Sequence, residues 1–303
     1  MLYVPASRPD MIEKAARSGA DAVCIDLEDA VAPDQKEASR ANVVRALTGG
    51  LDFGTRIRLV RINGLDTKYA YRDIIDVVEP AGQNLDLLML PKTSGPDDVR
   101  FVDTLLTQVE ARVSIRHRIG IEAQIESASG FLWVREIAAS SARLESLIFG
   151  SGDYAASMRM PLANIGQDDE HDAAYPGHRW HAVMHAIVAA ARAHGLRAID
   201  GPFADFKDSA GFERACRTAR ALGFDGKQCI HPTQINAVNT AFSPLPDEVA
   251  WARTVVSAYE RATEAGRGAL AVNGKMIDAA NIRMARTTLR RAEAIESRKD
   301  TSR

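Results

Sequence analysis

Eight short strand-like runs, most of them rich in apolar residues, punctuate the chain at residues 2–5, 21–27, 57–62, 85–90, 119–125, 144–149, 196–199 and 227–230. Each is bounded by turn-forming or polar residues, and none alternates strongly between apolar and polar. That is how strands read when both their faces are covered, as in a parallel sheet wrapped by helices. Between the runs, apolar residues fall at helical spacing. In 96–113, Val99, Val102, Leu105, Leu106 and Val109 share one stripe. Further helices are predicted at 11–18, 33–47, 71–78, 130–140, 180–194, 208–222 and 233–241. Residues 161–179 break the rhythm. They hold Gln167, Asp168, Asp169, Glu170 and Asp172 without apolar periodicity. They are expected to form one long loop, and loops beyond about 12–15 residues usually carry function or move.

Eight strand–helix units in succession predict an α/β fold of the (β/α)8 barrel type, placed at residues 1–242. An open doubly wound sheet is the competitor, but no G-x-G-x-x-G comes after the first strand. Residues 243–303 lie outside the barrel count. Here a helix over 247–266, a hairpin around Asn273-Gly274 and a helix from 278 to 296 are expected. This extension has enough apolar surface to need a partner, either the barrel wall or another subunit.

A barrel puts its active site at the C-terminal ends of its strands. Those ends here carry Arg8, Glu28, Asp29, Arg61, Asn63, Lys92, Glu126, Asp153, Asp200 and His231. Packing does not require such a ring of charge. It suits an anionic substrate held together with a metal. Glu126 and Asp153 close two neighbouring apolar strands, and burying an unpaired carboxylate is costly. A hard divalent ion such as Mg2+ between them is one reading. The other is that each carboxylate caps the helix after it.

Composition narrows the partners. The net charge of −2 argues against nucleic acid and against a basic membrane face. No apolar run approaches the ~20 residues of a membrane span. Met1 leads straight into Leu2-Tyr3-Val4-Pro5 with no basic leader, so no signal peptide is expected. The three cysteines, Cys24, Cys216 and Cys229, form no C-x-x-C and are expected to be buried thiols of a reducing, cytoplasmic compartment.

Several motifs, taken in order, resemble the HpcH/HpaI aldolase or citrate lyase β-subunit-like superfamily of CoA ester lyases. They are Val4-Pro5-Ala6-Ser7-Arg8-Pro9, Asp26-Leu27-Glu28-Asp29, Arg61-Ile62-Asn63-Gly64, Leu90-Pro91-Lys92, Ile125-Glu126-Ser127-Ala128, Gly152-Asp153-Tyr154, Gly226-Lys227-Gln228 with Ile230-His231-Pro232, and Met276-Ile277-Asp278. Within that superfamily, Leu65-Asp66-Thr67 after the arginine motif, Asp200-Gly201-Pro202-Phe203, and the loop with Tyr175-Pro176-Gly177 and Trp180-His181 look most like the malyl-CoA and β-methylmalyl-CoA lyase branch.

The resemblance implies roles by position. Glu126 and Asp153 match Mg2+ ligands, with Mn2+ as an alternative ion. Arg61 matches the arginine that grips the glyoxylate and thioester oxygens. Tyr3, Arg8, Lys14 and Gly152 match positions lining the substrate and CoA pocket, with Ile230 and His231 near the CoA. Asp278 matches an acid/base supplied by a neighbouring subunit, which implies a homotrimer or homohexamer with the C-terminal segment as a lid. The implied reaction is reversible Claisen-type cleavage of a 3-hydroxyacyl-CoA to a 2-oxoacid and an acyl-CoA. Competing expectations are a citramalyl-CoA lyase, a malyl-CoA thioesterase, and a citrate lyase β-like component of a larger complex.

Blander readings stand beside these. Glu28 and Asp29 are expected to form structural ion pairs with Arg40, Lys92 or Arg61. Lys92 is a minor candidate for a Schiff base. His178, His181 and His185 share a helix face, but no zinc pattern accompanies them.

Overall fold

The computed structural model describes residues 1–175, 179–264, 266 and 269–301. The chain divides into two compact units, Met1–Ala241 and Phe242–Arg303.

In the first unit the elements run β1 (Leu2–Pro5), α1 (Pro9–Ala16), β2 (Ala22–Asp26), α2 (Lys36–Thr48), β3 (Ile57–Arg61), α3 (Ala70–Ala81), β4 (Leu87–Leu90), α4 (Pro96–Val113) and β5 (Gly120–Ile125). They continue with α5 (Ala128–Leu132), α6 (Val134–Ala138), β6 (Leu144–Phe149), α7 (Ser151–Ser157), α8 (Glu170–Ala174), α9 (His181–Ala193), β7 (Arg197–Asp200), α10 (Ser209–Leu222), β8 (Gly226–Lys227) and α11 (Ile235–Phe242). The eight strands lie in chain order, each parallel to the next. Just past β8 the sheet meets its own beginning. Cys229 bridges Leu2 in parallel, Tyr3 N–H donates to Cys229 O at 2.9 Å, and Cys229 N–H donates to Met1 O at 2.8 Å. The sheet is closed, and the expected (β/α)8 barrel is the fold.

Inside the barrel, Cys24, Leu59, Met89 and Ile148 form a fully buried plug, with Met1, Tyr3, Leu87 and Ile199 against it. Outside the strands, Ile12, Val43, Ile74, Val77, Val102, Leu106 and Ile187 are buried from the helix layer. Each such side chain contributes roughly 1.5–3 kcal/mol by leaving water. One irregularity bears on the site. The β5–β6 register shifts between Ile121 and Glu122, so Glu122 pairs with Ser146 and the exposed Glu145 is the extra residue. An extra residue of this kind bends a strand and re-aims the side chains beyond it.

Three predicted elements differ. The 161–179 segment is not all loop, because Asp169 caps α8 by accepting from His171 N–H, and Asp172 reciprocates to Asp169 N–H. The single helix predicted at 130–140 is two, α5 and α6, which meet at Trp133. The last strand ends at Lys227 rather than continuing to 230, and beyond it Cys229 pairs with Leu2 only as an isolated bridge.

The second unit holds α12 (Pro246–Glu264), a hairpin of β9 (Leu270–Val272) and β10 (Lys275–Ile277), and α13 (Ala279–Thr301). The hairpin turns at Asn273-Gly274, both at positive φ, as the Asn-Gly pair predicts. Ala252, Val255, Val272, Ile277, Ile282 and Ala285 form its own small core.

Candidate active site at the barrel mouth

The site grows from strand ends. Asp26 closes β2 and Arg61 closes β3, and the two are register partners. Their side chains therefore meet. Arg61 Nε and Nη2 donate to Asp26 Oδ1 and Oδ2 at 2.7 and 2.6 Å. Arg61 Nη1 stands 3.0 Å from Glu28 Oε2, and the guanidinium lies 5.2 Å from the Tyr3 ring centre. The planar fork is thus fixed on two carboxylates and an aromatic face, which limits how it can move. Asp26 also accepts from the backbone N–H of Glu28 and Ala30 at 2.8 and 3.2 Å, ordering the loop beyond β2.

Glu28 is buried. Its Oε1 accepts from Lys92 Nζ at 2.7 Å, and Asp29 Oδ1 lies 3.3 Å from the same ammonium. Burial pushes the Glu28 carboxyl upward, against the pull of Arg61 and Lys92. Burial also works against the Lys92 charge, but its hydrogen bond to Glu28 and the nearby Asp29 and Asp153 hold the ammonium above the usual lysine range. A lysine so held is not a Schiff-base nucleophile.

Glu126 comes directly after β5 and is 3% exposed. Its Oε1 accepts from Lys92 N–H at 2.7 Å, and its Oε2 accepts from Gln124 Nε2 at 2.6 Å. Lys92 reaches it from left-handed backbone, φ +49°. Burial, then the neighbouring Glu28 and Asp153 charges, push the Glu126 carboxyl up to about 8. A carboxylate raised in this way lacks sufficient compensating positive charge. Gly150, after β6, makes room for it: a Cβ there would stand 2.4 Å from Glu126 Oε2. Asp153 lies in the first turn of α7 and is exposed. Gly152 beside it packs against Ile165, whose Cδ1 would be 2.9 Å from a Cβ.

The donor set is all oxygen, and both Glu126 hydrogen bonds leave lone pairs on its oxygens. Among the described residues no group of three or more His, Cys, Asp or Glu side chains is arranged to hold a metal. An ion here would rest on one or two carboxylates and several waters, which is how Mg2+ is commonly bound. The residues fit a hard divalent cation.

Residues 1–232 match the model of the HpcH/HpaI aldolase/citrate lyase family. The chain belongs to that family. It is accordingly a carbon–carbon lyase. It is 43% identical to the L-malyl-CoA/β-methylmalyl-CoA lyase of Cereibacter sphaeroides, over 98% of this chain and 95% of that protein. It is 37% identical to a (3S)-malyl-CoA thioesterase of the same species, over 97% of this chain and 94% of that protein. Among solved structures it resembles the CitE protein of Mycobacterium tuberculosis in complex with magnesium, acetoacetate and coenzyme A. That match has a TM-score of 0.74 and 32% identity, and covers 96% of this chain and 97% of that one.

The other positions singled out by the HpcH/HpaI resemblance are scattered. Arg8 is exposed and paired with Asp10 at 2.9 Å, and Lys14 is 80% exposed on α1. Neither joins the buried cluster. Ile230 is exposed, and the His231 ring stacks on Phe206 at 4.6 Å, a flat aromatic pair that the sequence pattern did not reveal. Asp278 belongs to the C-terminal unit, where its Oδ1 accepts from Ala280 N–H and Asn281 N–H and so caps α13.

Two residues of the strand-end ring turn out to be tied up in structural pairs. Asp200 is buried against Lys227, and Asn63 donates its side chain to Asp73 Oδ2 at 2.6 Å. Arg40 pairs with Asp73 and Asp76 rather than with Glu28 or Asp29. His181 and His185 stack at 5.5 Å, and His178 lies outside the described residues. Pro176 and Gly177 of the family-like loop lie outside them too. Sequence reasoning missed Asp26, Gln124 and Gln228. The signal for Gln124 was its place near the end of β5, two residues before Glu126, which puts both on the same face where the extended chain continues past the strand.

Proposed function

We propose that this protein is a Mg2+-dependent CoA ester lyase. It reversibly cleaves malyl-CoA or β-methylmalyl-CoA to glyoxylate and acetyl-CoA or propionyl-CoA. The observation that carries the reading is the buried Glu126 carboxylate, clamped by two donors, with Asp153 in the first turn after the next strand and Arg61 near enough for its charge to act on Glu126. The 43% identity to a malyl-CoA/β-methylmalyl-CoA lyase supports this substrate class over the thioester hydrolysis named for the 37% identical relative.

In this reading Glu126 and Asp153 hold the ion. When bound, Mg2+ supplies a Lewis acid that polarises oxygens of the glyoxylate half and lowers the hydroxyl pKa. Arg61 stabilises negative charge as the carbon–carbon bond breaks. Its fork is already fixed by Asp26, so little reorganisation is needed at that moment. Tyr3 braces that fork through its ring. Gly152, Ile230 and His231 line the path of the CoA thioester, with Arg8 and Lys14 as exposed cations for its anionic end. Asp278 gives a proton to the acyl-CoA enolate carbon in cleavage and takes it back in condensation. It comes from a neighbouring copy, in a homotrimer or homohexamer whose C-terminal units act as lids. No helix among the described residues is long and apolar enough to cross a membrane. The three cysteines are free and buried, which fits a reducing cytoplasm.

The test is to incubate the protein with glyoxylate and acetyl-CoA or propionyl-CoA, with and without EDTA, and to identify products by mass spectrometry. Metal-dependent malyl-CoA or β-methylmalyl-CoA is expected. No condensation, together with release of free CoA from supplied malyl-CoA, would replace the lyase reading with a thioesterase.

A further inference from the structure

A line of uncharged groups crosses the barrel interior and ends on Glu126. Gln124 is 4% exposed and Gln228 is 2% exposed. Gln124 Nε2 donates to Glu126 Oε2 at 2.6 Å. Gln228 Nε2 lies 3.5 Å from Gln124 Oε1 and donates to the Tyr3 hydroxyl. The Tyr3 hydroxyl in turn lies 2.9 Å from Met89 Sδ, to which it donates.

The direction of this line is set by its end. As an ion ligand Glu126 is ionised and only accepts hydrogen bonds, so Gln124 turns its NH2 to Glu126 and its oxygen to Gln228. Gln228 must then present its own NH2, which Tyr3 and Gln124 share. Gln228 thus donates to Tyr3 on one side and to Gln124 on the other, and Gln124 donates onward to Glu126. Gln124 fastens one oxygen of Glu126 and Lys92 N–H fastens the other, so the carboxylate is held in one orientation. Nothing in barrel packing calls for two buried amides here. The plug of Cys24, Leu59, Met89 and Ile148 shows that this interior accepts apolar residues.

We propose that Gln124, oriented by Gln228 and Tyr3, is a positioning residue that aims Glu126 at the divalent ion. The inference rests on the reading of Glu126 as an ion ligand.

The test reads ion binding directly. Protein freed of metal by EDTA and dialysis is titrated with Mn2+ alone, by calorimetry and by the Mn2+ paramagnetic resonance signal. Gln124→Leu removes the donor, and Gln124→Glu keeps the shape but sets acceptor against acceptor. Both are expected to weaken Mn2+ by about 10–100-fold, the usual effect of losing a group that orients a ligand. Gln228→Leu is expected to weaken it in the same direction by less. The turnover number should fall while KM for the acyl-CoA stays near the parent value. Glu126→Gln is expected to abolish binding. If Glu126→Gln abolishes binding but Gln124→Leu and Gln124→Glu bind Mn2+ like the parent, Gln124 is only a filler and the proposal is wrong. If Glu126→Gln itself binds Mn2+ like the parent, the ligand reading fails and takes this proposal with it. Gln124→Glu, which preserves volume, answers the question if Gln124→Leu does not fold.

Discussion

Lys92 gives its backbone N–H to Glu126 at 2.7 Å from a left-handed conformation, φ +49°, while its ammonium holds Glu28 on the other side. One residue therefore does two separable things. Glycine adopts positive φ at no steric cost, so Lys92→Gly keeps the N–H in place. It should bind Mn2+ within about threefold of the parent, since the donor to Glu126 survives. Valine disfavours this conformation by about 1–2 kcal/mol. Lys92→Val should move the donor and weaken Mn2+ about tenfold, as loss of an orienting partner does. Calorimetric titration of both variants decides. Equal losses would mean that the ammonium, not the N–H, supports the site.

Gly150 is the second constraint on the same carboxylate. An alanine Cβ would press on Glu126 Oε2 at 2.4 Å, on Glu126 Cβ at 2.5 Å and on Gln124 Nε2 at 2.9 Å. The contact at Glu126 Cβ is close to the backbone and cannot be relieved by a side-chain rotation alone. Gly150→Ala should lower lyase turnover about 100-fold, the effect of displacing a reacting group by about 1 Å. Circular dichroism should show the fold retained. Turnover within a factor of about three of the parent would show that the carboxylate position is not critical.

Glu122 makes stability depend on pH. It is buried on β5, its Oε2 has no hydrogen-bond partner, and burial pushes its carboxyl up to about 7. In the unfolded chain a glutamate titrates near about 4.3. The folded protein thus holds more protons between those values, and stability falls as pH rises through that window. The contribution is fully present below about 4.3 and gone once pH has passed about 7. Urea midpoints from about pH 5 to 8 for the parent and Glu122→Gln should diverge along this slope. Parallel curves would show that Glu122 is not the group responsible.

Asp200 and Lys227 form a buried ion pair across β7 and β8, with side chains 8% and 3% exposed. Lys227→Met leaves Asp200 charged and alone, and should cost about 3–5 kcal/mol in urea unfolding. Replacing both, by Asp200→Leu with Lys227→Met, should recover most of that, because two buried charges are replaced together. A double variant as unstable as the single one would show that the pair contributes more than mutual neutralisation.

The barrel was readable because most of its strands are rich in apolar residues and its strand ends are charged. β6 falls at 144–149 as expected, and Arg61, Glu126 and Asp153 stand where strand counting puts them. The features that escaped did so for specific physical reasons. α8 has five residues and no apolar stripe, so only its Asp169–Asp172 capping pair marks it. Gln124 and Gln228 look like ordinary polar residues within apolar runs, and their purpose appears only when β5 and the segment after β8 face one another. Asp26 was hidden for the same reason, since its partner is 35 residues away on the next strand.

The contact between Tyr3 and Gln228 spans 225 positions of chain and crosses the seam where the sheet meets its own start. Joining such distant segments carries one of the largest closure entropies in the molecule, growing with the logarithm of the separation. Pairings of this range form slowly compared with those between adjacent strands. The Arg61–Asp26 fork needs only neighbouring strands, so it can assemble early on a growing chain. The support of Glu126 through Gln228 waits for the ends to meet. A nascent or truncated chain lacking its last strand would therefore carry the charges of the site without the brace that aims them, and competence would arrive in the same step as ring closure.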